Sequence, residues 1–366
     1  MMSAARLYSP DEPFRVDRVS IPSPTAKDVL VRVRACGLVP NLNNVIRFPQ
    51  IAPAYPIQDL PAIFGLDPAG EIAAVGPDVL ELVPGQRVYI NPQRSCGSCV
   101  KCRNGSPLDC DSFTFAGYFG AGPSSRRIFK RYPGGGYAEY MIAPADRIVA
   151  LPDEVSFEEA VRFGYLGTAY AALRRARAGC DTSVLINGAT GFLGTGAVLL
   201  ALAMGVPTIL AVARDQKLLD EVKALAPRRI FTHSNNDGPC TEWARARTGG
   251  LGADVVVEAL GPGSAVEATM DALRSVGRHG RVVNIGAQNE LLPIDPIWVM
   301  MMQASLEGSN WFTTGQGDEM ARMAAAGTLD LKRLVHKRFS LDQVNEALKE
   351  AQSREHGGFL NVVVMP

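Results

Sequence analysis

The stretch VLINGATGFLGTGAVLLALAMG, residues 184–205, joins an apolar strand to an apolar helix through a turn rich in glycine. Gly188 permits a tight turn, Gly191 lets the backbone approach a pyrophosphate, and Gly194 lets helix and strand pack closely. The helix N-terminus then faces the anion. The sequence therefore predicts a dinucleotide-binding turn made of Gly188, Ala189, Thr190, Gly191, Phe192, Leu193 and Gly194. Because the spacing is GxxGxxG rather than GxGxxG, a glycine turn without a ligand stays an alternative.

The sequence around this turn falls into two halves. From about Ser183 onward strands alternate with helices, as in TILAVA followed by QKLLDEVKALAP. This alternation predicts a doubly wound parallel sheet of the Rossmann type, with helices on both faces. The N-terminal half contains short strand-like runs such as VLVRVRA, residues 29–35, separated by glycine and proline. We therefore expect an α/β protein in which a β-barrel domain accompanies a Rossmann cofactor domain.

The end of the second Rossmann strand, TILAVARD, bears on the choice of cofactor. An NAD-binding protein carries an acid here that holds the ribose 2′-hydroxyl, whereas this chain has Ala213 followed by Arg214. A guanidinium fits a 2′-phosphate, so the sequence favours NADP(H). The alternative is that Arg214 is a solvated turn residue and that Asp215 binds the ribose.

The composition excludes several classes of partner. Lys plus Arg and Asp plus Glu both number 37, so the formal net charge at pH 7 is zero. A neutral chain has no electrostatic basis for binding nucleic acid or anionic lipid, so we expect a small-molecule partner, no nucleic acid and no membrane. The N-terminal MMSAARLYSPDEP lacks the apolar core of a signal peptide, and Gly205 and Pro207 divide the longest apolar run. These features predict a cytoplasmic protein.

Four of the seven cysteines lie together in SCGSCVKCRNGSPLDC, residues 95–110. Four thiolates at such close spacing suit a tetrahedral zinc ion, and a closed site of four cysteines leaves no position for substrate. We therefore predict one structural zinc per chain, bound by Cys96, Cys99, Cys102 and Cys110. Unligated or disulfide-bonded thiols are the alternative.

Together these features resemble the zinc-containing alcohol dehydrogenases of the medium-chain dehydrogenase/reductase superfamily. The resemblance covers nearly the whole chain and includes the motifs VRVRACG, LPAIFG, PAGEIAAVG, VPGQRVYINP, GGGYAEYMIAP, GTAYAAL, DVVVEALG and QVNEALKEA. It implies a GroES-like β-barrel catalytic domain of residues 1–160 with 313–366, a zinc lobe at about 94–112, and a Rossmann NADP(H)-binding domain of residues 161–312. It also implies a homodimer or homotetramer.

The resemblance fails at the catalytic zinc. In this family a cysteine of an ACGVCHTD-like segment, the histidine of GHE and a cysteine four residues before the Thr of a TAY-like motif bind that ion. The corresponding residues here are Val39, Leu66 and Gly164, and none of them can bind a metal. The four histidines of the chain all lie beyond the N-terminal catalytic segment. We expect that the catalytic zinc is lost, unless the alignment has slipped.

Three residues near these positions are the candidate catalytic groups. Asn41 stands where the family has a Thr or Ser bonded to the substrate oxygen, and Asn44 replaces the relay histidine. Asn41 is either an oxyanion donor or a turn residue. Tyr165 is either a proton donor or a core tyrosine. Asp67, which replaces a family glutamate, is either part of the site or bonded only to arginine or backbone.

Without a Lewis acid, hydride transfer needs a substrate that spreads negative charge by itself. We therefore expect an NADPH-dependent reductase of conjugated enones, enals or quinones. A zinc-independent carbonyl reductase or alcohol dehydrogenase is the first alternative, and a non-catalytic NADPH-binding protein is the second. The aromatic and basic segment 116–136 is predicted to be a long loop, which is either a surface excursion or subunit contact, or a wall or lid over a pocket.

Overall fold

A computed structural model describes residues 1–353 and 355–366 of the chain. Its N-terminal part is built mainly from short strands. They are β1 (Met2–Leu7), β2 (Arg15–Val19), β3 (Asp28–Gly37), β4 (Ala62–Ile63), β5 (Asp67–Val75), β6 (Arg87–Ile90), β7 (Gln93–Arg94), β8 (Thr114–Phe115), β9 (Tyr140–Pro144) and β10 (Ile148–Ala150). Short helices lie between them, namely α1 (Leu42–Val45), α2 (Phe48–Ile51), α3 (Val100–Arg103), α4 (Ser125–Arg131) and α5 (Phe157–Ala160).

The middle of the chain alternates strands and helices as predicted. Its strands are β11 (Ser183–Asn187), β12 (Thr208–Ala213), β13 (Ile230–Ser234), β14 (Ala253–Glu258), β15 (Val276–Asn284) and β16 (Ser305–Gly308). Its helices are α6 (Phe163–Arg175), α7 (Phe192–Ala203), α8 (Gln216–Ala224), α9 (Cys240–Arg247), α10 (Val266–Arg274) and α11 (Pro296–Met302). The chain ends with α12 (Thr314–Ala325), β17 (Val335–Ser340), α13 (Val344–Glu350) and β18 (Leu360–Met365).

The six middle strands form one parallel sheet in the order β13-β12-β11-β14-β15-β16. This order reverses direction between β11 and β14, so the carboxyl ends of these two strands open a crevice, the place where sheets of this type bind a dinucleotide. The central strands are buried on both faces, which explains why VLI, ILAVA and VVV are continuous apolar runs. The prediction of a doubly wound parallel sheet is confirmed.

The other large sheet combines both ends of the chain. Its order is β10-β6-β5-β3-β18-β17, and β9 pairs with β3. The last strand returns to β3, where Val363 and Val364 pair with Gly37 and Cys36. The predicted strand over residues 29–35 lies inside β3 and is confirmed. The sequence-based domain bounds stay predictions, since α12 packs against both β10 and α6.

The two sheets share a packed junction. Phe163 and Leu166 of α6 and Phe312 belong to one buried core that also includes Tyr89 of β6. The Tyr89 ring lies 5.5 Å from that of Phe163 and 6.4 Å from that of Phe312, measured between centroids. Aromatic packing therefore fixes α6 between the barrel and the cofactor domain.

The segment 116–136 departs from the predicted loop, because α4 occupies residues 125–131. The helix is short, and no side chain caps its N-terminus, so the sequence carries little helical signal. Burial of Ile128 and Phe129 is what stabilises it. Among the described residues, no helix combines the length and the apolar character needed to cross a membrane.

Candidate active site

The glycine turn has the geometry that its sequence predicts. β11 ends at Asn187, Gly188 has a φ of +83°, and Gly191 is the N-cap of α7. A Cβ on Gly194 would lie 2.6 Å from the carbonyl carbon of Gly188 and 2.8 Å from the Cα of Ala189. Glycine is therefore required at 188 for the backbone and at 194 for close packing of helix and strand.

The other residues of the turn divide between core and surface. Ala189 is buried, whereas Thr190, Phe192 and Leu193 are partly exposed at the helix N-terminus. The first turn of α7 therefore presents both its free backbone N–H groups and apolar side chains to a ligand.

Residues 213–215 lie at the edge of the same crevice. Ala213 is the last residue of β12 and is buried, and the side chain of Arg214 is exposed. The Arg214 carbonyl oxygen accepts hydrogen bonds of 3.0 Å from the Ser234 hydroxyl and from the Asn236 amide. Asp215 caps α8 by accepting from the backbone N–H of Leu218 at 3.1 Å. The Asp215 carboxylate is thus engaged in the helix cap.

The four clustered cysteines form a site that fits zinc. Their Sγ atoms all lie within 4.8 Å of one another, with 4.0 Å between Cys96 and Cys102 and 3.9 Å between Cys99 and Cys110. A tetrahedron with Zn–S bonds of about 2.3 Å has S···S edges of about 3.8 Å. Backbone N–H groups of Ser98 and Cys99 lower the pKa of the Cys96 thiol to about 6, which favours the thiolate ligand. Within the described residues, no other group of three or more His, Cys, Asp or Glu side chains is placed to hold a metal.

Val39, Leu66 and Gly164, the residues predicted to stand at the family's catalytic ligand positions, are buried and apolar. Val39 and Leu66 belong to the core of the barrel domain. Gly164 is the second residue of α6, and a Cβ there would lie 2.5 Å from Oδ2 and 2.7 Å from Cγ of Asp67. The Asp67 carboxylate therefore occupies the space that a side chain at position 164 would need.

Asp67 is held in this space by several neighbours. It is 1% exposed, and its Oδ1 accepts a hydrogen bond of 2.7 Å from the Tyr89 hydroxyl. Burial raises the pKa of Asp67 to about 7, while the Tyr89 bond, the charge of Arg162 and the Gly164 backbone N–H lower it. The alternative in which Asp67 contacts only arginine or backbone is contradicted, because the Tyr89 hydroxyl bonds to it directly. A carboxyl group in this state can be neutral or charged near neutral pH.

Asn41 is an exposed residue that precedes α1, and its side chain does not cap the helix. Its Oδ1 accepts a hydrogen bond from the hydroxyl of Tyr118, which is buried. Because the amide oxygen is already engaged, the Nδ2 group is the part of Asn41 that is available to a ligand. Asn44, which lies within α1, is also exposed.

Tyr165 follows Gly164 in α6 and packs against Phe192 of the glycine turn. Its ring centroid is 5.6 Å from that of Phe192, and the Arg162 guanidinium carbon is 4.9 Å from the Tyr165 ring centroid. Burial raises the pKa of Tyr165, and the Asp67 charge also raises it, whereas Arg162 lowers it. The phenol therefore stays protonated at neutral pH.

Tyr137 is another tyrosine whose pKa is raised by burial and affected by the charges of Asp67 and Tyr165. Tyr137 is fully buried, and its hydroxyl has no hydrogen-bond partner among the described residues. The neighbouring groups whose charges raise its pKa, after burial itself, include Cys36, Asp67, Tyr118 and Tyr165. Tyr118, which bonds to Asn41, has its pKa raised by burial and also by the charges of Tyr165 and Asp67.

An open cavity lies apart from these residues. It has a volume of about 820 Å³ and separates the zinc lobe from the cofactor domain, with Phe113, Phe115, Ile285 and Trp311 among its lining residues. None of the three candidate catalytic residues lines it. Phe115 and Trp311 both line this cavity and pack with ring centroids 4.6 Å apart. Phe115 belongs to the core of the barrel domain, and Trp311 packs against that core.

Comparison with known proteins agrees with this architecture. Residues 25–153 match the alcohol dehydrogenase GroES-like domain, and residues 193–326 match the zinc-binding dehydrogenase domain. An alcohol dehydrogenase of Geobacillus stearothermophilus is 32% identical over 329 residues, which are 89% of this chain and 90% of that protein. The chain belongs to the zinc-containing alcohol dehydrogenase family of the medium-chain dehydrogenase/reductase superfamily.

Two further similarities extend over the full length. An L-idonate 5-dehydrogenase of Vitis vinifera is 30% identical over 347 residues, which are 92% of this chain and 88% of that protein. The crystal structure of AibC matches with a TM-score of 0.85 at 28% identity and covers 100% of this chain and 96% of that one. Family membership makes this protein an oxidoreductase with a nicotinamide cofactor, and the four cysteines fit the structural zinc of the family.

Sequence reasoning missed four residues of the site, namely Tyr89, Tyr118, Tyr137 and Arg162. The two tyrosines of VYINP and GGGYAEY stand in motifs that carry the family resemblance, but nothing in the local pattern says that they face Asp67. Tyr118 lies in the segment 116–136, where the prediction of a pocket wall was one of two alternatives. A buried arginine such as Arg162 has no sequence signature at all.

Proposed function

We propose that this protein is an NADPH-dependent reductase of conjugated enones, enals or quinones that works without a catalytic zinc. The observation that carries the proposal is the position of Asp67, whose carboxylate fills the space beside Gly164. A zinc ligand at 164 and Asp67 in this position exclude each other sterically. Val39 and Leu66 supply no ligand either.

The lack of ligands for a Lewis acid determines which acceptors can react. Hydride added to the carbonyl carbon of a saturated aldehyde places a full negative charge on one oxygen, which apolar neighbours stabilise poorly. Hydride added to the β-carbon of an enone breaks the carbon–carbon π bond and yields an enolate, whose charge is spread over oxygen and the α-carbon. When bound, NADPH would supply the hydride and its two electrons, and a proton added to the α-carbon completes the reduction.

Two tasks remain, namely to stabilise the enolate oxygen and to deliver a proton, and the described residues include one group for each. Asn41 would donate from Nδ2 to the enolate oxygen, since Tyr118 fixes its amide oxygen. Tyr165 would deliver the proton, because it is a protonated phenol beside Phe192 of the cofactor turn. Asp67 would have a positioning role, since its hydrogen bond to Tyr89 fixes it beside Gly164.

The preference for NADPH rests on residues 213–215. The engaged carboxylate of Asp215 weighs against the alternative in which this acid binds the ribose of NAD. The exposed guanidinium of Arg214, which forms no salt bridge within the described residues, is the group proposed to bind the 2′-phosphate.

The proposal includes a cytoplasmic homodimer or homotetramer. Support for self-association comes from the exposed side chains of Ile297, Met300 and Met301 on α11 and of Leu306 on the edge strand β16. An apolar group of this kind at a sheet edge is typical of a subunit contact.

Product analysis with a matched pair of substrates tests the reaction. NADPH and an enal should give the saturated aldehyde, and the corresponding saturated aldehyde should react much more slowly. Asn41→Ala should lower kcat/KM for the enal about 100-fold, as expected for loss of an oxyanion donor. Asn44→Ala is the matched control, because it removes an exposed amide of the same segment and should change little.

Other outcomes would point to the alternatives. An allylic alcohol as the main product, or faster turnover of the saturated aldehyde, favours a zinc-independent carbonyl reductase. That alternative is supported by the Tyr118–Asn41 pair, which could hold a carbonyl oxygen. NADPH binding without turnover of any enone, quinone or aldehyde favours a non-catalytic binding protein.

A further inference from the structure

Arg162 is a buried cation that forms no salt bridge with any acid in the described parts of the chain. It is 3% exposed, and it precedes α6 at the junction of the two domains. Burial lowers its pKa to about 10, so it remains charged at neutral pH. Asp67 is the acid whose charge reaches it, but no contact within 4.0 Å joins the two side chains. A buried charge without a direct counterion is unfavourable and often belongs to a binding site.

The Arg162 guanidinium contacts the glycine turn through Phe192. Its Nη2 donates to the carbonyl oxygen of Phe192 at 3.2 Å and to that of Gly358 at 2.7 Å. Phe192 is the first residue of α7, and its ring centroid lies 4.6 Å from the guanidinium carbon. The Tyr165 ring lies 4.9 Å from the same carbon. Two aromatic rings thus fix the orientation of the cation.

The C-terminal segment packs onto the same turn. The backbone N–H of Gly358 donates to the carbonyl oxygen of Thr190 at 2.8 Å, and a Cβ on Gly358 would lie 2.6 Å from Cβ of Thr195. Arg162 therefore lies where α6, the start of α7 and the C-terminal segment meet. Its Nε and Nη1 groups have no acceptor among the described residues, so three N–H donors remain available.

The turn itself contains no basic side chain between Asn187 and Gly196. The helix dipole of α7 offers only about half an elementary charge, whereas the pyrophosphate of a dinucleotide carries two negative charges. We infer that Arg162 binds the pyrophosphate of the nicotinamide cofactor and is a second cationic contact, distinct from the one proposed for Arg214. The inference requires a dinucleotide in the turn, but it does not depend on which substrate is reduced.

The experiment measures the dissociation constants of NADPH and NADH by quenching of protein fluorescence. Arg162→Gln should weaken both cofactors by the same factor, about 10-fold to 100-fold, as expected for loss of a charge-assisted hydrogen bond. It should also flatten the dependence of NADPH affinity on salt, since one cation no longer contributes. Arg162→Lys keeps the charge but loses the planar fork, so we expect an intermediate loss.

Two further variants make the result interpretable. Arg174→Gln removes another guanidinium of the same helix, one that pairs with Glu319 at 2.7 Å, and should leave both affinities unchanged. Arg214→Ala should weaken NADPH alone. Thermal unfolding of each cofactor-free variant establishes that it is folded. If the Arg162→Gln protein is not folded, the affinities of the Arg162→Lys protein are compared with those of the wild type instead.

The outcomes separate this inference from the proposed reaction. A folded Arg162→Gln protein that binds both cofactors within two-fold of the wild type overturns the role of Arg162, as does a loss confined to NADPH. Neither result depends on enals or aldehydes. Conversely, failure to reduce enals would overturn the proposed function and leave the measured cofactor affinities as they are.

Discussion

Replacing Gly164 with alanine tests the steric exclusion between Asp67 and position 164. The new methyl carbon would lie 2.5 Å from Oδ2 and 2.7 Å from Cγ of Asp67, far inside van der Waals contact. Asp67 is 1% exposed and is bonded to Tyr89, so it has little freedom to move away. The carboxylate must then leave its partner, and the packing at the start of α6 must also absorb the methyl group.

The loss of unfolding free energy follows from the overpacking at position 164 and from the weakened hydrogen bond between Asp67 and Tyr89. Overpacking a dense core costs about 1–3 kcal/mol, and a hydrogen bond to a charged group contributes about 1.5–3 kcal/mol. Against this, alanine in place of glycine in a helix gains about 0.5–1 kcal/mol. We therefore expect Gly164→Ala to lower the free energy of unfolding by about 2–4 kcal/mol.

A double-mutant cycle assigns that loss to Asp67. Urea unfolding is followed for the wild type, Gly164→Ala, Asp67→Ala and the double variant. In the Asp67→Ala background the methyl group has room, so Gly164→Ala should cost less than about 1 kcal/mol, giving a coupling energy of at least about 1 kcal/mol. Gly196→Ala on α7 is the matched control, because its Cβ would have no neighbour closer than 3.5 Å and should therefore cause no such loss.

Two results would refute the reasoning. One is a Gly164→Ala protein whose unfolding free energy lies within about 0.5 kcal/mol of the wild type, a change typical of an unconstrained surface position. The other is an equal loss with and without the Asp67 carboxylate. In either case the pocket could accept a cysteine at 164, and the main observation behind a zinc-free reaction would be lost.

Three other predictions follow from the same structure. Elemental analysis of dialysed protein should give about one zinc per chain, and two zinc ions per chain would contradict the proposal. Cys99→Ser should lower the stability of the protein more than its turnover, because a closed zinc site contributes to folding. Ala213→Asp should shift cofactor preference toward NADH, whereas equal losses for both cofactors would assign residue 213 another role. Asp67 has a folded-state pKa of about 7, above its ordinary 3.8, so the folded protein binds more protons between these values and the free energy of unfolding should fall as pH rises from about 4 to 7. Asp67→Asn should remove most of that slope in pH-dependent denaturation, and an unchanged slope would show that another group titrates.

The fold could be predicted because its signals are local. The apolar strand before Gly188 and the apolar helix after Gly194 fix the phosphate-binding turn, since only glycine tolerates the positive φ at 188 and the close backbone contact at 194. Likewise, the spacing of Cys96, Cys99, Cys102 and Cys110 brings four thiols together within one short lobe. Each of these features lies within a single stretch of the chain and needs no distant partner.

The sequence also predicts that Val39, Leu66 and Gly164 stand where the family has its catalytic metal ligands, but it does not predict the side chains that surround these positions. The Tyr89 hydroxyl that holds Asp67 and the Tyr118 hydroxyl that holds Asn41 come from distant segments. Arg162 meets Phe192 and Gly358 only because α6, α7 and the C-terminal segment pack together. Side-chain periodicity reports burial but not the identity of a partner far along the chain, so these contacts were decided by tertiary packing alone.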